Sequence, residues 1–147
     1  MIEVASECDP MLEGPNLSFL NKATNTVLNS QNMTKADILF VFVLDEFLAE
    51  LKNKYFQKDH FTDVIAFRLN EYKEALIEGE VYISLPRAKE NAKIYDQPYE
   101  KEVTRLIIHG CLHLVGFKDD TKSEKKIMTK LEDKLLEKTD WQLIFNR

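Results

Sequence analysis

The chain has 147 residues, of which 44% are hydrophobic and 31% charged, and its formal net charge is −5. That length holds one domain with a real core, and that composition excludes a disordered chain. The longest unbroken apolar run, Ile38 to Leu44, is far too short to span a membrane.

Residues 1–15 carry Glu3, Glu7, Asp9 and Glu13 but no lysine or arginine, so no signal peptide is expected there. Ile2 and Val4 suggest a short first strand. Gly14-Pro15-Asn16 breaks the chain and caps a helix to about Ser30, with Leu17, Leu20, Val27 and Leu28 as its apolar stripe. Residues 36–44, ADILFVFVL, read as a central strand buried on both faces. Asp45 then caps a helix that buries Phe47, Leu48 and Leu51. A polar connection, KNKYFQKDHFTD, leads into a strand from Val64 to Leu69, and residues 70–79, charged and ending in Gly79, read as an exposed loop. Glu80 to Leu85 alternates as a strand. Pro86 opens a helix over 86–95 that stops before Asp96-Gln97-Pro98.

The next helix is expected from Tyr99 to Val115. Its first turns are charged, while Leu106 to Val115 are apolar apart from two histidines. A helix apolar all round is a buried one, which puts those histidines at the floor of a cleft. The last helix opens on the capping box Thr121-Lys122-Ser123-Glu124 and carries Ile127, Met128, Leu131 and Leu135 inward. The expected fold is α+β, a small mixed β-sheet with helices packed on it, in one domain spanning 1–147.

His109 and His113 are four residues apart, so on a helix their Cβ atoms lie roughly 5–6 Å apart on one face. Two imidazoles at that spacing can reach one metal ion with bonds of about 2.0–2.1 Å. Gly116 can turn left-handed at the helix end. The three residues after it span up to about 10 Å and can return Asp119 as a third ligand. His-x-x-x-His-x-x-Gly-x-x-Asp therefore describes three ligands with an open fourth position, the pattern of a catalytic zinc site, with one zinc per chain. The competing reading makes the pair two core histidines bonded to backbone carbonyls. Zinc proteases with a similar helix carry a glutamate directly after the first histidine as general base; here that residue is Gly110. Cys8 and Cys111 form no pattern and are expected as free thiols in a reducing cytoplasm. Cys111 is expected to face away from the metal. With the N-terminal acids set aside the chain is close to neutral, so charge neither supports nor excludes an RNA partner.

At these positions the sequence resembles the YbeY family of ribosomal RNA maturation endoribonucleases. The family motif His-Gly-x-Leu-His-Leu-x-Gly-Tyr-Asp-His is matched by His109-Gly110-Cys111-Leu112-His113-Leu114-Val115-Gly116-Phe117-Lys118-Asp119. A second family block, Leu-Asn-x-x-Tyr-Arg-x-x-Asp-x-x-Thr-Asp-Val-Leu-Ser-Phe, is similar to the stretch from Leu51 to Phe67. Gly79 to Ser84, with Ala88 and Ala92 after it, looks like a third. The likeness covers about residues 36–136. It implies a zinc-dependent endoribonuclease directed at single strands of ribosomal RNA precursors, with the ribosome as partner and neither DNA nor membrane.

Two departures bear on that reading. The family's third histidine is Asp119 here, with Asp120 as the rival ligand. The family's arginine after the tyrosine, a proposed catalytic residue, is Phe56. Arg105, one helical turn before His109, is the candidate for the missing cation; its other reading is an ion pair with Glu102 or Glu100. Thr62 and Asp63 begin the strand beside the site, where capping is the commoner role. His60 is expected in solvent, Phe40, Phe42 and Phe67 in the core, and Tyr55 in packing rather than stacked on a base. Two other functions remain open: a ribosome assembly factor with a structural metal, and a metal hydrolase of another substrate class.

Overall fold

The computed structural model describes residues 1–56 and 63–146, without the side chain of Phe56. The expectations for His60 and Thr62 lie outside the described residues. Among the described residues four strands make one sheet in the order β1-β2-β4-β3, with β1 at Ile2–Cys8, β2 at Lys35–Val43, β3 at Val64–Arg68 and β4 at Leu76–Ser84. β1 and β4 flank β2 in parallel, and β3 closes antiparallel on β4, which gives the expected small mixed sheet.

Five α-helices among the described residues pack on it: α1 (Leu17–Ser30), α2 (Asp45–Phe56), α3 (Leu85–Ile94), α4 (Tyr99–Val115) and α5 (Lys122–Leu136). α4 is central, touching α1, α3, α5, β3, β4 and a 3₁₀ turn at Trp141–Leu143. The main core joins Leu20 and Leu28 of α1, Ile38 and Phe40 of β2, Ile83 of β4 and Ile107, Ile108 and Leu112 of α4, all fully buried. Two glycines set how closely α4 lies on the sheet. A Cβ on Gly110 would stand 2.5 Å from Val81 Cγ1, and one on Gly79 would stand 2.7 Å from Leu114 Cδ2. On the opposite sheet face α2 covers a smaller core of Val43, Leu48 and Ile65.

The starts of α1, α3 and α5 follow the sequence closely. Asn16 accepts from the Phe19 N–H, Ser84 caps α3 with Pro86 in its first turn, and the Thr121–Glu124 capping box is complete. Strand ends do not. β1 runs to Cys8, and β4 begins at Leu76, inside the stretch expected as loop. There Ile77, Gly79 and Val81 face inward while Glu78 faces solvent, so alternation hid beneath the charge. β2 is buried on one face only, with Asp37 exposed and Leu39 and Val41 half-buried. α2 extends to Phe56 and takes up residues expected as a connection. Asp45 lies inside that helix, and its carboxylate accepts from Arg87 at 2.7 Å and from Ser84 Oγ at 3.2 Å instead of capping. Leu17, Phe47 and Ile127 are exposed rather than buried.

Candidate metal centre

α4 stops at Gly116, whose φ of 127° is open to glycine and strained for other residues. The Gly116 and Phe117 N–H groups bond back to the Leu112 carbonyl at 3.2 and 3.0 Å, closing the helix end. Five residues after Gly116, Thr121 caps α5, so the segment 117–120 is held between two helix ends. Phe117 packs against the main core, and Asp119 is turned back toward α4.

Three donor atoms meet there. His109 Nε2 and His113 Nε2 are 3.0 Å apart, and Asp119 Oδ2 lies 3.3 Å from the first and 3.5 Å from the second. Donors at the corners of a tetrahedron around an ion with bonds of about 2.0–2.1 Å stand about 3.3–3.4 Å apart. The observed triangle fits that spacing with little movement, and this group could hold a metal ion. Asp120 is exposed, and its N–H donates to Glu124 Oε1 at 3.1 Å.

The ring of His109 is oriented from behind. Its Nδ1 lies 2.6 Å from Oε2 of Glu132, a carboxylate on α5 with only 8% of its side chain exposed. A carboxylate accepts, so Nδ1 carries the hydrogen and the Nε2 lone pair is aimed at the other donors. Glu132 is fixed in turn by Arg105, whose guanidinium donates to Glu132 Oε1 at 2.9 Å and to Asp133 Oδ1 at 2.6 Å. Burial favours the neutral form of His109, but Glu132, Asp119 and Asp63 outweigh it and hold its pKa above the ordinary range. Burial and the neighbouring His109 push His113 below that range, toward the neutral imidazole that binds metals.

The three donors stand between two hollows. One, of about 470 Å³, is walled by Asp63, Glu102, Arg105, His109, Asp119 and Glu132. Burial raises the pKa of Asp63, and it pushes Glu102 up to about 7. Asp63 also satisfies its turn: its carboxylate accepts from Asn91 at 3.0 Å and its carbonyl from the Ser84 N–H at 2.9 Å. The other hollow, of about 420 Å³, is bordered by Tyr72, His113, Gly116, Lys118 and Asp119.

The model of the YbeY family, described as endoribonuclease YbeY, matches residues 12–140. The chain belongs to the YbeY endoribonuclease family. A relative named endoribonuclease YbeY from Flavobacterium psychrophilum is 36% identical over 119 residues, covering 81% of this chain and 83% of the relative. Another of that name from Phocaeicola vulgatus is 40% identical over 101 residues, covering 68% and 71%. Among solved structures, the solution structure of TM1509 from Thermotoga maritima is similar, with a TM-score of 0.63 and 25% identity over 93% of this chain and 87% of that one.

Within this YbeY-family chain, His109, His113 and Asp119 come together, while Asp120 stays outside the cluster. Arg105 lines the same hollow as His109, and its ion-pair partners are Glu132 and Asp133 rather than Glu100 or Glu102. Cys111 is fully buried in the main core. Tyr55 is exposed and packs edge-on against Phe67 with ring centroids 5.4 Å apart. Sequence reasoning missed Glu132. The signal was present, because Glu132 lies four residues after Met128 and three before Leu135, on the stripe that α5 buries.

Proposed function

We propose that this chain is a zinc-dependent endoribonuclease that cuts single-stranded segments of ribosomal RNA precursors in the cytoplasm, with residues 1–147 acting as one domain. The observation that carries this reading is the near-tetrahedral convergence of His109, His113 and Asp119 in a chain whose relatives are named endoribonucleases. One zinc ion held there would supply Lewis acidity toward a phosphate oxygen and lower the pKa of water.

The chain's own residues prepare the site for RNA. Glu132 keeps the His109 ring in one tautomer and one orientation, and Arg105 keeps Glu132 in place. Arg105 also brings a positive charge to the wall of the hollow, where it would stabilise charge growing on the phosphate. The pKa of Glu102, pushed up to about 7 by burial, reduces the negative charge that a phosphate meets on entering. Ribosomal RNA and the ribosome are the proposed partners, and neither DNA nor a membrane is needed. No helix among the described residues is long and apolar enough to cross a membrane.

The test is cleavage of single-stranded RNA by purified protein. Internal cuts should vanish on chelation, return with zinc and be absent from folded His113→Ala. A second reading, an assembly factor with a structural metal, is favoured by Phe56 at the family's arginine position and by the two carboxylates that offset Arg105. No cleavage by zinc-loaded protein, together with normal small-subunit ribosomal RNA processing in cells carrying folded His113→Ala, would select that reading instead.

A further inference from the structure

We infer that Tyr72 is a stacking platform for an RNA base next to the scissile phosphate, on the His113 side of the metal centre. The inference rests on the endoribonuclease reading above and assigns it a nucleotide subsite. Tyr72 lies in the turn between β3 and β4 and is 59% exposed. An exposed ring on a loose loop would mean little, but this turn is built around Arg68. The Arg68 guanidinium donates to the Leu114 carbonyl in the last turn of α4 at 2.8 Å, and to the carbonyls of Glu71, Glu74 and Leu76 at 2.9, 3.3 and 3.2 Å. Asn70 adds a bond to the Leu76 carbonyl at 2.6 Å and accepts from the Glu78 N–H at 3.0 Å. One cation thereby ties the turn to the helix that carries both histidines.

The guanidinium carbon of Arg68 lies 5.0 Å from the centre of the Tyr72 ring, a cation–π contact that helps fix the ring's plane. The ring edge also packs over Gly116. A Cβ there would be 3.6 Å from Tyr72 Cδ1, so the missing side chain leaves the hollow between Tyr72, His113 and Lys118 open. A fixed, half-bare aromatic ring beside a metal ligand suits a flat apolar partner. The charges around it are mixed, with Lys118 offset by Asp120 and Glu71 paired with Lys73 at 3.2 Å, so Coulomb attraction alone does not draw a polyanion here. A nucleotide meets both demands, its base on Tyr72 and its phosphate toward the metal centre and Lys118. Any base has a π-face, so this subsite would hold single strands with little sequence preference.

The test uses zinc-loaded full-length protein and short single-stranded RNAs. Tyr72→Ala should raise KM by roughly five- to a hundredfold, the range that base–aromatic stacking supplies, with kcat and zinc content nearly unchanged. Tyr72→Phe, which keeps the ring, should behave as wild type. An abasic nucleotide at the stacked position should weaken wild type to the level of Tyr72→Ala and leave that variant's KM unmoved. Wild-type cleavage with an unchanged KM for Tyr72→Ala would overturn the inference and leave the endoribonuclease reading standing. Zinc loss from Tyr72→Ala would overturn it too, by giving the ring a structural role. A wild-type protein that holds zinc but neither binds nor cuts RNA would overturn both.

Discussion

The two sides of the candidate metal centre are built in opposite ways. On the α5 side His109 is backed by Glu132, Glu132 by Arg105, and Arg105 by Asp133, a chain of charged groups running from the half-buried ring to the surface. On the hairpin side His113 borders Gly116, Tyr72 and Lys118, and the carboxylate near its ring is Asp119, the shared third donor, at 3.5 Å. The difference separates two tasks. One side fixes where a ligand atom points, which calls for buried carboxylates with partners. The other leaves room for something to arrive, which calls for a missing side chain and an exposed ring.

Changes at the shared ligands should matter most. His113→Ala or His109→Ala should abolish zinc binding, read as loss of the single equivalent by elemental analysis. A bound metal also stabilises the fold by linkage, so chelation should lower the melting temperature of wild type and leave these variants unmoved. Next come the carboxylates of the turn. Asp119→Asn should weaken zinc strongly and Asp120→Asn little, since only Asp119 reaches both rings. Equal losses would show that the turn is misplaced.

The α5 side can then be probed alone. Glu132→Gln keeps size but loses the charge on His109 Nδ1, and loss of such an outer partner costs about 10–100-fold in metal affinity or activity. Arg105→Ala, one step further out, should cost less affinity. It should lower kcat more than it raises KM if its charge acts on the transition state. A hairpin-side variant such as Tyr72→Ala should leave zinc affinity alone. If it does not, the division of labour between the two sides is wrong.

The smallest expected effect concerns pH. Folded Glu102 keeps its proton up to about pH 7, whereas a free glutamate loses it near pH 4.5. Between those values the folded state binds the extra proton, so stability falls as pH rises from about 4.5 to about 7 and stays low above it. Glu102→Gln should remove that slope and be more stable than wild type at pH 8. Denaturant midpoints of metal-free protein at pH 5 and pH 8 would check the sign.

Much of this was legible in the sequence where the signal is local. The bounds of α4, the capping box of α5 and the glycine that turns Asp119 back all depend on residues within a few positions of one another. The parts that were missed depend on partners far along the chain. Glu132 is 23 residues from His109 and reads as one more charge on a charged helix until its place beside Met128 and Leu135 is noticed. Gly79 reads as the end of a loop, yet it lies inside β4 because Leu114 of α4 needs its empty side. The start of β4 was hidden for the same reason: a half-exposed strand alternates, and charges at Glu78 and Glu80 mask the apolar half. Arg68 gives no sign in the sequence that it bonds four carbonyls.

The most direct measurement is anomalous diffraction at the zinc edge from crystals of the native protein. A single peak is expected about 2.0–2.1 Å from His109 Nε2, His113 Nε2 and Asp119 Oδ2, with Glu132 still on His109 Nδ1. No peak after zinc is supplied, or a peak bound by Asp120 or Glu132 in place of Asp119, would contradict the metal centre described above.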